Sequence, residues 1–470
     1  MRTISGIAFL IAFALLHAAL ATAQELPPQI GGNPVLVTAE EALREGAPPS
    51  ATDHAFRLSR FELSLDQDES GQWLPAKPGN WRFRGTGGDV LLELFPGEVL
   101  WLRGTGIEDA EEASSWIAEV LLPEPGVAII TRSKDGIYGT FDVGNRRYAL
   151  ASDNGQGRHA FAKQVDSRDI GICLTGGAHG DHDHHKHYRH PMQAPTWASK
   201  AAMQKSGGGS TNLDILFLYT PGAASYMGSP ATFINNLVAS LNTAFSASGV
   251  TGSARAVYYG TQTGVSALDT ESQFRGEITR MHDGTHPFTG LAALRNDHAA
   301  DLVVLLAERT TPSQLCGIAG DTQFMPLRKL DIDADYHGKI HAVVSVNCSD
   351  NDRTFHHEVS HLLGGWHDVP LNDWSGIPLQ YTNCGIDAMS CGYTDTVNGF
   401  RTIMGSMGET GFACGFDGCP RLLRFSDLEQ TIWSNGGWRA LGQPMGTRDG
   451  YENFVATMNG EGTTEATIPF

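Results

Sequence analysis

Hydrophobic and polar positions change their spacing about halfway along the chain. Between residues 90 and 165, short apolar runs alternate with turn residues, a pattern that predicts a small β-rich domain. The runs are Val90-Leu-Leu-Glu-Leu, Val99-Leu-Trp-Leu, Val127-Ala-Ile-Ile-Thr, Gly139-Thr-Phe-Asp-Val and Arg147-Tyr-Ala-Leu. This part carries no dense cluster of catalytic residue types, so we interpret it as a folding or shielding module.

From residue 212 onward the pattern alternates between strands and helices. Ser229 and Pro230 supply a helix N-cap and a first helical position, and apolar residues then recur at helical spacing until Gly249. A weaker helical region spans 271–298. Apolar runs predict strands at 213–220, 254–259, 301–307 and 341–346. The order predicts an α/β (α+β) domain with a mixed sheet, followed by a helix that begins near residue 355.

That last helix carries the candidate chemistry, within Phe355-His-His-Glu-Val-Ser-His-Leu-Leu-Gly-Gly-Trp-His-Asp. His357 and His361 lie four residues apart, so their imidazoles share one helix face and can reach a single metal ion. Glu358 lies one residue along, where its carboxylate can act as a base without being a ligand.

The residues after this pair extend the pattern. Gly364 lets the backbone turn sharply, so that His367 can return towards the same ion as a third ligand. Three nitrogen ligands leave a tetrahedral zinc ion one open position for a water whose pKa falls to about 7. A helix whose histidines stack without metal is the alternative. With Gly364, His367 and Asp368 also fixed, a chance match is rare, on the order of 10⁻⁵ per chain.

This signature resembles that of the metzincin metalloendopeptidases, and the Asp after the third histidine is similar to the adamalysin (reprolysin-like) branch. The resemblance implies that Glu358 is the general base, that Asp368 supports the site, and that Met404 forms an apolar floor beneath it. The implied zinc ligands are His357, His361 and His367.

Other details refine the resemblance. Ser406 stands where astacin-like and serralysin-like relatives carry a tyrosine, which argues for three protein ligands. Leu218-Tyr-Thr-Pro and Arg401-Thr-Ile-Met are similar to runs in bacterial secreted peptidyl-Asp metalloendopeptidases, which are described as cleaving beside aspartate. Arg401 is therefore a candidate basic pocket residue, with a structural ion pair as the alternative. By the same resemblance, Cys316-Gly-Ile-Ala-Gly is the edge strand to which a peptide substrate adds.

Charge and the amino terminus bear on partners and location. The net charge of −19 repels polyphosphate, so nucleic acid is not an expected partner. Residues 1–23 predict a secretory signal peptide, with Arg2 before an apolar core and Ala21-Thr-Ala before the cleavage point. A membrane anchor is the alternative, but the apolar run is short for a span. We therefore expect a secreted, extracellular protein without stable membrane insertion.

Six of the seven cysteines lie in the half that contains the zinc motif, which is compatible with three disulfides. We expect Cys316 to pair with Cys348, with the other four pairing among themselves. Cys173 is the odd one, and its thiolate can occupy the open zinc position in a latent form; an incidental thiol is the alternative. The tract from His179 to His190 either gathers metal or is a polar linker.

These features predict four segments: a signal peptide (1–23), a β-rich propeptide domain (24–170), a Cys/His-rich linker with the processing region (171–211) and a protease domain (212–470). We expect a latent proenzyme of a zinc endopeptidase that acts on polypeptides, inhibited by its own propeptide. An inactive zinc-binding or adhesion protein on the same fold is one alternative, and a zinc hydrolase of non-protein substrates is another. One catalytic zinc ion is expected. Structural calcium is an option, but the sequence locates no site for it.

Overall fold

Two large β-sheets enclose a long helix in a computed structural model of the chain. The structure describes residues 35–37, 39–41, 58–62, 66–67, 73–74, 83, 89–95, 98–144, 146–152, 159–165, 172–173, 212–250, 252–265, 267–310, 315–320, 340–349, 353–363, 365, 367, 392–395, 397–405, 419–427, 430–434 and 437–441.

The amino-terminal part forms a ten-stranded sheet with the strand order β1-β6-β7-β8-β9-β10-β11-β12-β3-β2. From β6 to β3 along this order the strands pair antiparallel, and alternate side chains fill a core around Trp116 and Phe141. All five predicted runs lie in its strands, and β8 is an additional strand that we did not predict. The strands are β1 (Val35–Val37), β2 (Ala39–Glu41), β3 (Leu58–Glu62), β4 (Asp66–Gln67), β5 (Trp73–Leu74), β6 (Asp89–Phe95), β7 (Glu98–Asp109), β8 (Ala113–Leu122), β9 (Gly126–Ser133), β10 (Ile137–Val143), β11 (Arg146–Ser152) and β12 (His159–Val165), of which β4 and β5 form a separate two-stranded sheet.

The second large sheet is mixed, with the strand order β13-β17-β18-β16-β14-β15. Its pairs are parallel except for β17 with β18, which is antiparallel. Every residue of β16 is buried, because helices cover both faces of the sheet. Its strands are β13 (Ile172–Cys173), β14 (Asn212–Tyr219), β15 (Ser253–Thr261), β16 (Leu302–Ala307), β17 (Leu315–Ala319) and β18 (His341–Ser345). Two small sheets follow, made of β19 (Thr394–Asp395) with β20 (Phe400–Arg401) and of β21 (Thr431–Ser434) with β22 (Gly437–Ala440).

Capping residues mark the ends of several helices in the described part. The long helix α2 has Ser229 as its N-cap and Pro230 as its first residue, and Gly249, at φ 76°, follows its end, as predicted. The helical region predicted at 271–298 contains two helices: Gly284 adopts the left-handed conformation and ends α3, and α4 begins later. The helices are α1 (Pro221–Met227), α2 (Pro230–Ala247), α3 (Glu271–Asp283), α4 (Leu291–Asp297), α5 (Val346–Ser349) and α6 (Thr354–Leu362).

The layers place α6 inside the molecule. Helices α2 and α6 share one core on one face of the mixed sheet, where the rings of Phe217 and Phe355 are 5.6 Å apart. Helices α3 and α4 contribute to a second core on the other face. The ten-stranded sheet covers α2 from outside: Ile129 joins the core of α2, and the ring of Tyr138 lies 4.7 Å from that of Phe233.

Among the described residues, no helix is both long and apolar enough to cross a membrane.

Several predicted features lie outside the described residues. They are the signal peptide at 1–23, the histidine-rich tract at 179–190, most of the linker at 171–211, the two supporting residues Gly364 and Asp368, Ser406, and three cysteines, Cys384, Cys391 and Cys414.

Candidate metal centre

Three histidines from two segments converge at the end of α6. His357 and His361 share one face of that helix, and His367 returns to them from the segment that follows. The Nε2 atoms of His357 and His367 are 2.9 Å apart, and those of His357 and His361 are 3.2 Å apart. The structure thus brings together the three residues that the spacing predicted.

The distances fit a zinc ion. Zinc binds imidazole nitrogen at about 2.0–2.1 Å, and tetrahedral geometry then separates two such nitrogens by about 3.3 Å. The two measured separations, 2.9 and 3.2 Å, lie close to this value. The donor set is all nitrogen, which suits zinc better than magnesium or calcium, since these prefer oxygen.

The outer nitrogens of two rings are fixed by backbone carbonyls. Nδ1 of His357 donates to the carbonyl oxygen of Ile403 at 2.7 Å, and Nδ1 of His361 donates to that of Gly365 at 2.9 Å. A carbonyl accepts but cannot donate, so each of these two rings carries its proton on Nδ1. Each Nε2 therefore presents a lone pair to the centre, as metal binding requires.

Burial keeps His357 and His361 neutral. It lowers the pKa of His361 to about 3, a shift to which the Arg421 guanidinium adds and which the bond to Gly365 opposes. Burial likewise lowers the pKa of His357 well below its ordinary value, with further lowering by Arg421 and the other two histidines. Only a neutral imidazole has the lone pair that binds a metal, so this environment favours the binding form.

Glu358 follows His357 on α6, is fully buried and lies against the strand β17. A Cβ atom added to Gly317 of that strand would lie 2.5 Å from Oε1 of Glu358. The close approach therefore requires glycine at position 317. Sequence reasoning placed Gly317 in the edge strand but missed this contact; an isolated glycine inside a strand was the available signal.

The segment that contains Met404 packs beneath the histidines. Met404 is buried in the same core as Val359 of α6, and the preceding residue, Ile403, holds His357 through its carbonyl. Met404 is therefore part of the core against which α6 packs, and its role as the floor of the site stays a prediction.

Arg401 donates hydrogen bonds to backbone carbonyls inside the protein, next to Met404. Its side chain is fully buried, with Nε donating to the carbonyl of Cys419 at 2.9 Å and Nη1 to that of Gly405 at 3.3 Å. These bonds lie within the methionine segment and join it to the segment at 419–427. They support a structural role for Arg401.

A disulfide joins a strand and a short helix near the site. Cys316 and Cys348 form the predicted bridge, with 5.7 Å between their Cα atoms, and join β17 to α5 just before the zinc-motif helix. Cys419 is also disulfide-bonded, and its partner lies outside the described residues.

The outer side of β17 is occupied by the chain itself. The short strand β13 pairs with β17 in parallel, with Ile172 opposite Leu315 and Cys173 opposite Gly317. The expectation that β17 is a free edge is therefore wrong in this form of the chain. The backbone of Cys173 lies beside the glycine that contacts Glu358.

Comparisons with known proteins agree with this geometry. Residues 210–413 match the family model Reprolysin_5, described as metallo-peptidase family M12. A peptidyl-Asp metalloendopeptidase from Stenotrophomonas maltophilia is 26% identical over 270 residues, which are 56% of this chain and 54% of that protein. The chain thus spans about half the length of this curated relative.

Two solved structures show weak overall similarity. Metalloproteinase-II from Bacteroides fragilis is 12% identical with a TM-score of 0.36, over 60% of this chain and 82% of that one. A chaperone-substrate complex contains a chain that is 17% identical with a TM-score of 0.35, over 55% of this chain and 35% of that one. The family match over residues 210–413 and the curated relative both support a metzincin-like metalloendopeptidase.

Proposed function

We propose that the protein is a secreted, zinc-dependent endopeptidase that is made as a latent proenzyme. The observation that carries the proposal is the convergence of three imidazoles on one point, two of which burial keeps neutral, with the buried Glu358 next to His357 on the same helix. His357, His361 and His367 would hold the zinc ion. Bound there, zinc supplies a Lewis acid and a water that ionises near neutral pH.

The chain's own groups would then divide the work. Glu358 takes a proton from the attacking water and returns it to the leaving amine, as a general base and then a general acid. The carbonyls of Ile403 and Gly365 keep two ligand rings in the binding tautomer. The backbone of β17 binds an extended peptide by adding it as a further strand, which delivers the scissile bond to the site.

The relative's name suggests the substrate class. That protein is a peptidyl-Asp metalloendopeptidase, and we extend cleavage beside aspartate to this chain as part of the proposal. Arg421 adds positive charge near the histidines, since it contributes to the lowered pKa of both His357 and His361. A cationic surrounding favours an acidic residue next to the scissile bond.

Latency would reside in the segment around Cys173. As strand β13, this segment takes the place on β17 that a substrate strand needs, so the proenzyme cannot bind a peptide there. The backbone of Cys173 stands opposite Gly317, within reach of the catalytic residues, which supports its proposed role as a zinc ligand of the latent form. Removal of the segment would open both the strand edge and the zinc position.

The test is hydrolysis of casein and of aspartate-containing peptides by the processed, secreted protein, with and without a zinc chelator. Glu358→Gln should abolish hydrolysis while zinc stays bound. Glu271→Gln, which removes a carboxylate paired with Arg275 on α3, is the matched control and should remain active. Unchanged proteolysis by the Glu358 variant would overturn the assignment of the base. Zinc binding without hydrolysis by the wild type would instead support an inactive zinc-binding protein.

A further inference from the structure

The zinc-motif helix begins at an unusual residue. Arg353, which precedes α6, adopts the left-handed conformation with φ 56°, and its side chain is buried. Its Nε donates to the carbonyl of Arg421 at 3.2 Å, and its Nη2 donates to Oδ2 of Asp142. Asp142 belongs to β10 of the ten-stranded sheet, which is 211 residues away along the chain.

The Asp142 carboxylate also pairs with a second arginine. Nε of Arg147, on β11, lies 2.7 Å from Oδ1 of Asp142, and Nη2 of Arg147 also donates to the Arg421 carbonyl at 3.2 Å. Asp142 thus accepts from two guanidinium groups, and one backbone carbonyl accepts from both. The network joins the amino-terminal sheet to the start of α6.

The network also reaches the other half of the metal site. The backbone of the segment at 419–427, which contains Arg421, bonds to the methionine segment, with Leu422 donating to the carbonyl of Arg401 at 2.7 Å and Ile403 donating to that of Arg424 at 2.8 Å. Ile403 in turn holds His357. Asp142 is therefore connected to the histidines by two routes, through the helix and through the methionine segment.

Charge explains why a carboxylate is needed there. Arg353 is surrounded by low-dielectric protein, and burial together with Arg421 and Arg424 lowers its pKa to about 9. At neutral pH it remains charged, and Asp142 supplies the opposite charge. A buried cation that loses its partner is strongly destabilising, because water cannot replace the lost carboxylate.

The ten-stranded sheet also bonds to α2 through buried polar groups, as elements within one protein interior do. Nδ2 of Asn236, on α2, donates to the Ile129 carbonyl at 3.1 Å and to the Thr131 hydroxyl at 3.0 Å. The hydroxyls of Ser133 and Thr232 are 2.6 Å apart. These groups are buried, so separation of the sheet from α2 would expose apolar side chains and break satisfied polar bonds together.

We propose that the ten-stranded sheet is a retained partner of the metallopeptidase region, which stays bound after the linker is cut, and that Asp142 acts through Arg353 as a positioning residue for the zinc-motif helix. In this arrangement the inhibitory segment is β13, whereas the sheet is part of the working protein. The inference rests on the proposed function for the need to cut the linker, but its readouts are fragment association and zinc affinity, which are independent of hydrolysis.

The first test follows association. Recognition sites for a site-specific protease are inserted between Asp166 and Ser167 and between Lys205 and Ser206 of the full chain, so that cutting detaches β13 from both the sheet fragment and the carboxy-terminal fragment. The purified protein is cut, and the product is run on a gel-filtration column at 0.15 M salt. The two fragments should elute together at the position of the uncut chain. Separate elution of a folded carboxy-terminal fragment that binds zinc with the affinity of the uncut chain would overturn the proposal.

The second test follows Asp142. We expect Asp142→Asn to weaken zinc binding about tenfold in competition with a chromophoric chelator, the low end of the effect of residues that orient metal ligands. Asp142→Glu should restore most of the affinity. Asp89→Asn is the matched control, since Asp89 is also paired with an arginine of the sheet, Arg103, and has a similar side-chain exposure of 17% against 20%. Wild-type zinc affinity in Asp142→Asn, or an equal loss in Asp89→Asn, would refute the positioning role. If Asp142→Asn does not fold, the elution of the cut wild-type chain still decides the proposal.

Discussion

Gly317 and Glu358 touch so closely that a single methyl group on Gly317 would lie 2.5 Å from a carboxylate oxygen of Glu358. Gly317 belongs to the strand that we propose as the substrate edge, and Glu358 is the proposed base. In the proposed mechanism, this contact therefore sets the distance between a peptide bound to β17 and the carboxylate of Glu358, which moves the proton.

We expect Gly317→Ala to displace Glu358 and to lower kcat for a peptide substrate by a factor of about 10², the usual effect of a misplacement near 1 Å. Zinc content should stay at the wild-type level, because no ligand contacts the added methyl group. Gly276→Ala is the control: a Cβ there meets nothing within 4 Å, and the change should stabilise α3 by about 0.5–1 kcal/mol without altering kcat. Equal kcat for wild type and Gly317→Ala would contradict this reading of the contact.

The bridge between Cys316 and Cys348 closes a loop of 32 residues. For a loop of this size, we expect its replacement by two serines to reduce the free energy of unfolding by about 3–4 kcal/mol. Urea unfolding of the oxidised wild type and of the double variant measures the difference. Equal stability of the oxidised wild type and the double variant would show that the bridge is dispensable.

Glu108 lies where the ten-stranded sheet meets α2, and Nδ2 of Asn242 donates to its carboxyl at 3.0 Å. Burial raises the pKa of Glu108 to about 7 from 4.5, and the bond from Asn242 partly opposes the shift. Between these pH values the folded protein holds a proton that the unfolded chain has lost. The free energy of unfolding should therefore fall as the pH rises from 4.5 to 7, and then level off.

Glu108→Gln should remove this fall, which we expect to be on the order of 2 kcal/mol for a partly exposed group. Urea unfolding at pH 5 and pH 8 gives the measurement. The free energy of unfolding should depend on pH less steeply in Glu108→Gln than in the wild type, while both proteins keep the bond from Asn242. A wild-type slope that persists in the glutamine variant would assign the pH dependence to another group.

Arg401 was a candidate for substrate recognition, but its guanidinium bonds to the carbonyls of Cys419 and Gly405 inside the protein. We expect Arg401→Lys to lower the free energy of unfolding by about 2 kcal/mol, because one ammonium cannot reproduce both bonds. The ratio of kcat/KM between aspartate and asparagine peptides should not change. A loss of that ratio at wild-type stability would return Arg401 to the substrate pocket.

Local periodicity explains what the sequence predicted well. The spacing of His357 and His361 is a property of one helix, and the caps of α2 are decided by Ser229 and Pro230 alone. Such features need no knowledge of the rest of the fold. The strand that holds Cys316 could be identified through the family resemblance, but not the strand that covers it, because β13 has only two residues and no periodicity.

The pairing of Asp142 with Arg353 could not be predicted in the same way. The two residues are far apart in sequence, neither stands in a motif, and their contact depends on how a ten-stranded sheet packs against α2. The division of 271–298 into two helices was not predicted, and its cause is local: Gly284 takes the left-handed conformation that ends a helix.

The central claim is that His357, His361 and His367 hold one zinc ion, and metal analysis tests it most directly. Protein purified after growth with ample zinc and dialysed against buffer should contain about one zinc ion per chain, as expected for a single three-histidine site. His361→Asn should contain almost none, whereas His286→Asn, at an exposed histidine, should contain as much as the wild type. A folded wild type without zinc, or a His361 variant that keeps its zinc, would contradict the account.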